Sequence, residues 1–235
     1  MKKGKFFVLE GVDGSGKATQ TKLLVEALKN KGFLVEKVDF PQYTKASAGM
    51  IENYLKGMYG SSKDVGPYKA SIFYACDRYD MSFKIRQWLG EGRMVIADRY
   101  IASNIGHQGG KLIRNKKAWD KYIDWLHHLE FSIFQIPKPD YTLILKIPPE
   151  LSMKSSNKIV DKDKAKKRAS YLGDSKKQDI HEADRLHLVN SLKSYIAISK
   201  KYPTDYRIIE CEEKGKFLPL EVIHKKVLTL VEGKI

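Results

Sequence analysis

Cysteine is nearly missing from this chain: only Cys76 and Cys211 occur, far apart and outside any C-x-x-C pair. That argues against a disulfide framework and a thiolate zinc site, and it makes a reduced, cytoplasmic setting the expectation. Long apolar runs are missing too, with no stretch near the ~18 apolar residues a membrane span needs. Met1-Lys2-Lys3 begins like a signal peptide, but the apolar run Phe6–Leu9 is stopped at once by Glu10. A soluble chain without a membrane partner is expected. Acidic residues are in short supply, 28 against 43 Lys and Arg, for a net charge of +15 and a pI near 9.5. Such a balance suits nucleotides and nucleic acid alike, and equally a lysine-rich solvated surface, so charge does not choose the function. The six histidines, His107, His127, His128, His181, His187 and His224, show no metal-ligand spacing. Internal repeats and low-complexity linkers are also missing, and at 235 residues a single domain with a substantial core is expected.

What the chain does have is concentrated near its start. Phe6-Phe7-Val8-Leu9 is followed by Glu10-Gly11-Val12-Asp13-Gly14-Ser15-Gly16-Lys17 and then a helix-like segment. Gly11 to Lys17 has the G-x-x-x-x-G-K spacing of a phosphate-binding loop, set between a strand and a helix as that motif requires. Glycines let the backbone turn its N–H groups toward an anion, and the new helix adds the positive end of its dipole. Gly11, Gly14, Ser15, Gly16, Lys17, Ala18 and Thr19 are the expected ATP contacts, with Lys17 a mobile cation for the β- and γ-phosphates. Position 18 departs from the motif: Ala18 stands where a Ser or Thr hydroxyl would ligate Mg²⁺.

Strand and helix signals alternate from there on. Expected strands are Phe33–Phe40, Met94–Ala97, Tyr141–Ile147 and Asp205–Glu210. Expected helices are Lys17–Lys29, Ala46–Met58 (burying Met50, Ile51, Tyr54 and Leu55), a run from Pro67 to about Gly90, Lys116–Phe131 and Pro219–Val231. Gly57 to Gly66 reads as loop, and Asn104 to Gly110 as a loop or broken helix. The pattern predicts an α/β fold: a mostly parallel five-stranded sheet with helices on both faces and ligands at the carboxyl ends of the strands. Between Lys154 and Lys177 the lysines crowd together with Arg168 among few large apolar residues. Such runs are usually solvated. Its place before the amphipathic segment Ile180–Lys200, with Leu186, Val189, Leu192 and Ile196 on its expected buried side, makes it a candidate lid over about 154–180.

Two further clusters fall where such folds bind ligands. Asp98-Arg99 directly follows a strand, so the carboxylate can hold Mg²⁺, directly or through water, and the guanidinium can clamp a phosphate. Tyr74 and Arg78 lie one helical turn apart and could stack and read a base. By spacing alone, however, Tyr74 reads as core and Asp77-Arg78-Tyr79-Asp80 as a charged face.

Together the set Phe6-x-Val8-Leu9-Glu10-Gly11-x-Asp13-Gly14-x-Gly16-Lys17-x-Thr19-Gln20, Phe40-Pro41, Tyr74-x-x-Asp77-Arg78 and Asp98-Arg99-Tyr100-x-x-Ser103-Asn104 resembles the thymidylate kinase family. The motifs come in the family's order and run from the first strand toward the last helix. The resemblance implies a three-layer P-loop kinase fold with a basic lid, and transfer of a phosphoryl group from Mg-ATP to dTMP, giving dTDP and ADP. It implies that Asp13 receives the acceptor's sugar 3′-hydroxyl and that Phe40 and Tyr43 lie beside its sugar and phosphate. Tyr74 would stack on thymine, Arg78 read its O4 and Asn104 approach its N3. Arg99 would bind the acceptor phosphate, Asp98 would lie near Mg²⁺, and Arg168 would be the lid arginine, with Lys166 and Lys167 as substitutes. Because Gly14 and Ser15 put no arginine in the loop, the lid has to supply that charge. A homodimer formed through helices is also implied, although no stripe in the sequence identifies the interface.

Phosphoryl transfer needs two anionic phosphates in line and neutralisation of the charge that spreads between them, which suits Lys17, Arg99 and the lid cations. The acceptor's own oxygen attacks, so no side chain has to be a nucleophile. Rival readings are a related kinase acting on dUMP or another deoxynucleotide, a P-loop ATPase or nucleic-acid binder, and a weakened nucleotide-binding relative, at which Ala18 hints. Basic residues gathered in one segment, rather than interleaved with aromatics over a surface, argue against nucleic acid.

Overall fold

In the computed structural model, which describes residues 3–158 and 185–235, the first apolar run forms β1 (Lys5–Gly11), buried at every position from Phe6 onward. A strand covered on both faces reads as a continuous apolar run, and this one is the middle of the sheet. Beside it lie β3 (Met94–Asp98) and β4 (Tyr141–Lys146), with β2 (Val35–Asp39) and β5 (Tyr206–Glu210) at the edges. The order is β2-β3-β1-β4-β5 and every pairing is parallel, so the sheet is more regular than the mostly parallel one expected. Register brings the functional ends together: Leu9 and Asp39 both pair with Asp98, and Gly11 pairs with Leu145.

Among the described residues the α-helices are α1 (Lys17–Asn30), α2 (Gly49–Lys56), α3 (Ser62–Gly90), α4 (Ile101–His107), α5 (Lys116–His127), α6 (Pro149–Lys158), α7 (Arg185–Lys201) and α8 (Leu220–Glu232). Helix α3 breaks at Gly66 (φ +73°), and Pro67 restarts it where a missing N–H costs nothing. The short piece before the break, in a stretch expected to be loop, is held by a reciprocal cap between Ser61 and Asp64. Helix α1 is tied to α8 by Gln20 Nε2, which donates to Leu220 O at 3.1 Å. A hairpin of Glu212–Glu213 with Lys216–Phe217 was not expected; its two-residue turn, Lys214-Gly215, has positive φ at both positions.

Two expected faces are corrected. Met50 is half exposed, and α2 buries Ile51, Tyr54 and Leu55. Of the expected face of α7, Leu186 is exposed, Val189, Leu192 and Ile196 are half-buried, with Leu192 packed against the core, and the fully buried residues are instead Leu188, Ser191, Ser194, Tyr195 and Ile198. The reason is close approach to α4 and the 3₁₀ turn after it. A Cβ on Gly106 would meet the Tyr195 ring at 2.4 Å, and one on Gly110 would meet the Ser191 backbone nitrogen at 3.0 Å. Small residues fit there, and Ser194 Oγ donates to Ile105 O at 2.5 Å while accepting from Trp119 Nε1 at 2.8 Å. Of the expected lid, Lys154 to Lys158 continue α6. Arg168, Lys166, Lys167 and the rest of the segment lie outside the described residues, as does His181.

Candidate active site

The loop between β1 and α1 is shaped by three glycines with positive φ: Gly11 at +143°, Gly14 at +76° and Gly16 at +88°. At Gly11 a side chain is excluded twice, because a Cβ would lie 2.6 Å from Leu145 O and 2.7 Å from Ser15 Oγ. No side chain caps the start of α1, so its first N–H groups remain available to an anion. Ser15 is buried, and its hydroxyl finds no hydrogen-bond partner among the described residues. Lys17 is buried as well, donating from Nζ to Val12 O at 2.8 Å. Burial, then repulsion from Arg99, lowers its pKa to about 8 in spite of Asp13, Asp98 and Glu10. An arriving polyphosphate would supply the negative charge that favours protonation.

Arg99 follows β3 in a left-handed conformation (φ +72°), fixed by its N–H donating to Leu9 O at 3.0 Å. That turn sends the guanidinium across to the phosphate loop, where Nη2 pairs with Asp13 Oδ1. Nη1 reaches Ser103 Oγ at 3.2 Å and His107 Nε2 at 3.3 Å. Burial opposes the charge on Arg99, but Asp13, Tyr195 and Glu10 outweigh it, so the group is held charged more firmly than an ordinary arginine. Ser152 Oγ on α6 donates to the Asp13 carbonyl, which ties the loop to the element leading out toward residue 158.

Beneath this pair sits a residue whose place in the sequence points to no role of its own. Glu10, fully buried, accepts from the Tyr100 N–H at 2.7 Å, from Ser103 Oγ at 2.9 Å and from Tyr195 OH at 3.1 Å. Burial raises its pKa against the pull of Arg99. The carboxylate thereby joins β1, the turn carrying Arg99 and helix α7. In sequence it looked only like the polar stop to an apolar run.

On the other side of Tyr100 lie the expected acceptor residues. Phe40 is buried with its ring 5.5 Å from that of Tyr100. Asp77 organises the chain that follows: its Oδ2 accepts from the Gln42 N–H at 2.9 Å and its Oδ1 from Ser47 Oγ at 2.6 Å. Tyr43 and Tyr74, both half-buried, pack on the cluster of Ile51, Tyr54 and Val65. Arg78 is buried, its Nε 3.0 and 2.9 Å from the two Glu130 oxygens and its Nη1 3.4 Å from Tyr100 O. Asn104, also buried, donates from Nδ2 to Ser71 O at 3.1 Å. Asp77 and Arg78 are therefore interior residues, not the charged surface that spacing alone suggested; only Tyr79 and Asp80 of that run are exposed.

The donors suit magnesium rather than a softer metal. Asp98 is a half-buried carboxylate at a strand end, beside Lys17 and Arg99 in the field of both. Ala18 offers no ligand, and Thr19 is exposed. Among the described residues no group of three or more His, Cys, Asp or Glu is arranged to hold an ion. Hard oxygen donors few in number fit Mg²⁺, which keeps several waters and takes the rest of its shell from phosphates.

A family model described as thymidylate kinase matches residues 9–202, most of the chain. The chain belongs to the thymidylate kinase family. It is 33% identical over 156 residues to the thymidylate kinase of Plasmodium falciparum, covering 66% of this chain and 68% of that protein. With a thymidylate kinase of Mycobacterium tuberculosis it shares 30% over 172 residues, 72% of this chain and 78% of that one. A solved thymidylate kinase from Candida albicans has the same fold, with a TM-score of 0.68 and 22% identity, covering 98% of this chain and 92% of the other. The phosphate loop of this thymidylate kinase family member is the first connection from the central strand of a parallel sheet.

Proposed function

We propose that the chain transfers the γ-phosphoryl group of ATP to dTMP, giving dTDP and ADP. The observation that carries this reading is the Arg99–Asp13 pair, which joins an arginine placed for the acceptor phosphate to the loop placed for the donor. Gly11, Gly14, Ser15, Gly16, Lys17, Ala18 and Thr19 form the ATP side. Asp13, Phe40, Tyr43, Tyr74, Arg78, Arg99 and Asn104 form the acceptor side. Lys17 and Arg99 draw the two phosphates together, an oxygen of the acceptor phosphate attacks the γ-phosphorus, and the bridging β–γ oxygen leaves with its electron pair on ADP. Asp98 would hold Mg²⁺, directly or through water, and the ion supplies further neutralisation of phosphate charge. The segment at about 154–180 would close as a lid on a single kinase domain over 1–235, Arg168 supplying the arginine that the phosphate loop lacks and the closed lid excluding water so that ATP is not hydrolysed. Neither nucleic acid nor a membrane is needed; among the described residues no helix is long and apolar enough to cross one. With Cys76 and Cys211 both free, a cytoplasmic location fits.

The test is to supply Mg-ATP with each nucleoside monophosphate in turn and follow ADP. Turnover dependent on dTMP, with dUMP as the nearest competitor and cytidine and purine monophosphates poor, is the expected result. ADP release indifferent to the acceptor would sink the reading.

A homodimer is part of the same proposal, and a row of exposed apolar side chains on α3 supports it. Along α3 the exposed Ile72, Cys76, Tyr79 and Phe83 recur at one-turn and two-turn spacing, with exposed Ile133 close by through the Tyr79–Phe134 ring contact at 5.0 Å. Large apolar side chains aligned on one helix mark an association surface. Phe83→Glu places charge in its middle and is expected to convert a dimer to a monomer in light scattering. A wild-type chain already monomeric at tens of micromolar would contradict the assignment.

A further inference from the structure

Arg78 is among the largest of the fully buried side chains, and the carboxylate that meets it comes from 52 residues away in sequence. Glu130 has no exposed surface. Its two oxygens take the Nε edge of the guanidinium at 3.0 and 2.9 Å, and Nη2 adds a further bond to Oε1. A guanidinium has five N–H groups in a rigid plane, so a carboxylate fixed on one edge also fixes where the opposite edge points. Here that edge is Nη1, which among the described residues makes one long hydrogen bond, 3.4 Å, to Tyr100 O. Tyr100 is the residue against which Phe40 packs.

Glu130 owes its position to an unusual backbone. It lies in the π-helical turn His128–Ile133 between α5 and β4. A π turn inserts a residue and re-aims the side chains around it, and such turns are frequent at functional sites. The turn is closed by the Phe134 N–H donating to Leu129 O at 2.9 Å and the Ile136 N–H donating to Glu130 O at 3.0 Å. Stability does not account for the arrangement, because a buried ion pair is often matched or surpassed by apolar residues of the same volume.

We propose that Glu130 is a specificity-determining positioning residue, holding Arg78 so that its Nη1 edge selects a pyrimidine with a 4-oxo group over one with a 4-amino group. The inference rests on the kinase reading and deepens it. A donor held toward O4 leaves a 4-amino group facing another donor, and an unpaired buried donor is strongly disfavoured. An Arg78 freed from the carboxylate can turn, and the rejection weakens.

The experiment compares dTMP and dCMP as acceptors for the full-length wild type, Glu130→Gln and Glu130→Asp, with thermal unfolding followed alongside. For Glu130→Gln the ratio of kcat/KM for dTMP to that for dCMP is expected to fall about ten-fold or more, mostly through a raised KM for dTMP. Glu130→Asp keeps the charge and should restore part of the ratio. A purely structural residue would lower the melting temperature and the amount of active enzyme while leaving the ratio where it was. An unchanged ratio in an active wild type and its variants overturns the inference alone. A wild type without acceptor-dependent turnover overturns the kinase reading and the inference with it.

Discussion

Lys17→Ala is expected to lower kcat for dTMP phosphorylation by about a hundred- to a thousand-fold, the range for removing one preorganised charge from a transition state. Lys17 is the buried cation of the phosphate loop, with Nζ resting on the Val12 carbonyl. Charge moves onto the γ-phosphoryl oxygens during transfer, and a cation already fixed inside the protein meets it without reorganising solvent. The same substitution should leave the fold intact or slightly more stable. Burial lowers the Lys17 pKa from 10.5 to about 8, so the native state without nucleotide disfavours the proton that the unfolded chain binds readily. That penalty is full below about pH 8 and fades as pH rises toward 10.5, so removing the amine at neutral pH removes it. Steady-state kinetics and thermal unfolding on the same preparation test both halves. A kcat within a few-fold of wild type would contradict the role given to Lys17.

Glu10→Ala should instead damage the fold and the site together, at a cost of about 3–5 kcal/mol, the range for removing one partner from a buried charged network. Three donors lose their acceptor at once: the Tyr100 N–H, Ser103 Oγ and Tyr195 OH. Two cations, Arg99 and Lys17, lose a negative neighbour. The left-handed turn at Arg99 loses the bond that anchors its following residue. Glu10→Gln keeps the volume and one carbonyl acceptor, so it should cost about 1–3 kcal/mol while still lowering turnover through a loosened Arg99. Denaturant unfolding of both variants measures the order. An Ala variant within about 1 kcal/mol of wild type would show that Glu10 is not the anchor described here.

The parts of the molecule that were legible in advance are those whose cause is local. A phosphate loop is written in spacing, because each glycine answers a backbone demand; the clash awaiting a side chain at Gly11 shows why. The three central strands, β1, β3 and β4, were legible because a sheet covered on both faces needs nearly uninterrupted apolar runs. The buried face of α7 was not, because it is set by glycines some eighty residues earlier, and serines placed for close approach carry no hydrophobic signal. Glu10 and Glu130 were hidden for a related reason. Each is a carboxylate whose meaning lies in partners that only the fold supplies, and alone in sequence each reads as a polar interruption. Arg78 and Asp77 show the same effect in reverse, since a charged run that looked solvated contains two interior residues.

The most direct test of the central claim follows the γ-phosphoryl group itself. With γ-labelled ATP, Mg²⁺ and dTMP, the label should appear in dTDP, one for each ADP formed, with little in inorganic phosphate while dTMP is present. Label accumulating as inorganic phosphate at a rate that dTMP does not change would show an ATPase, and would contradict the transfer that this site is read as performing.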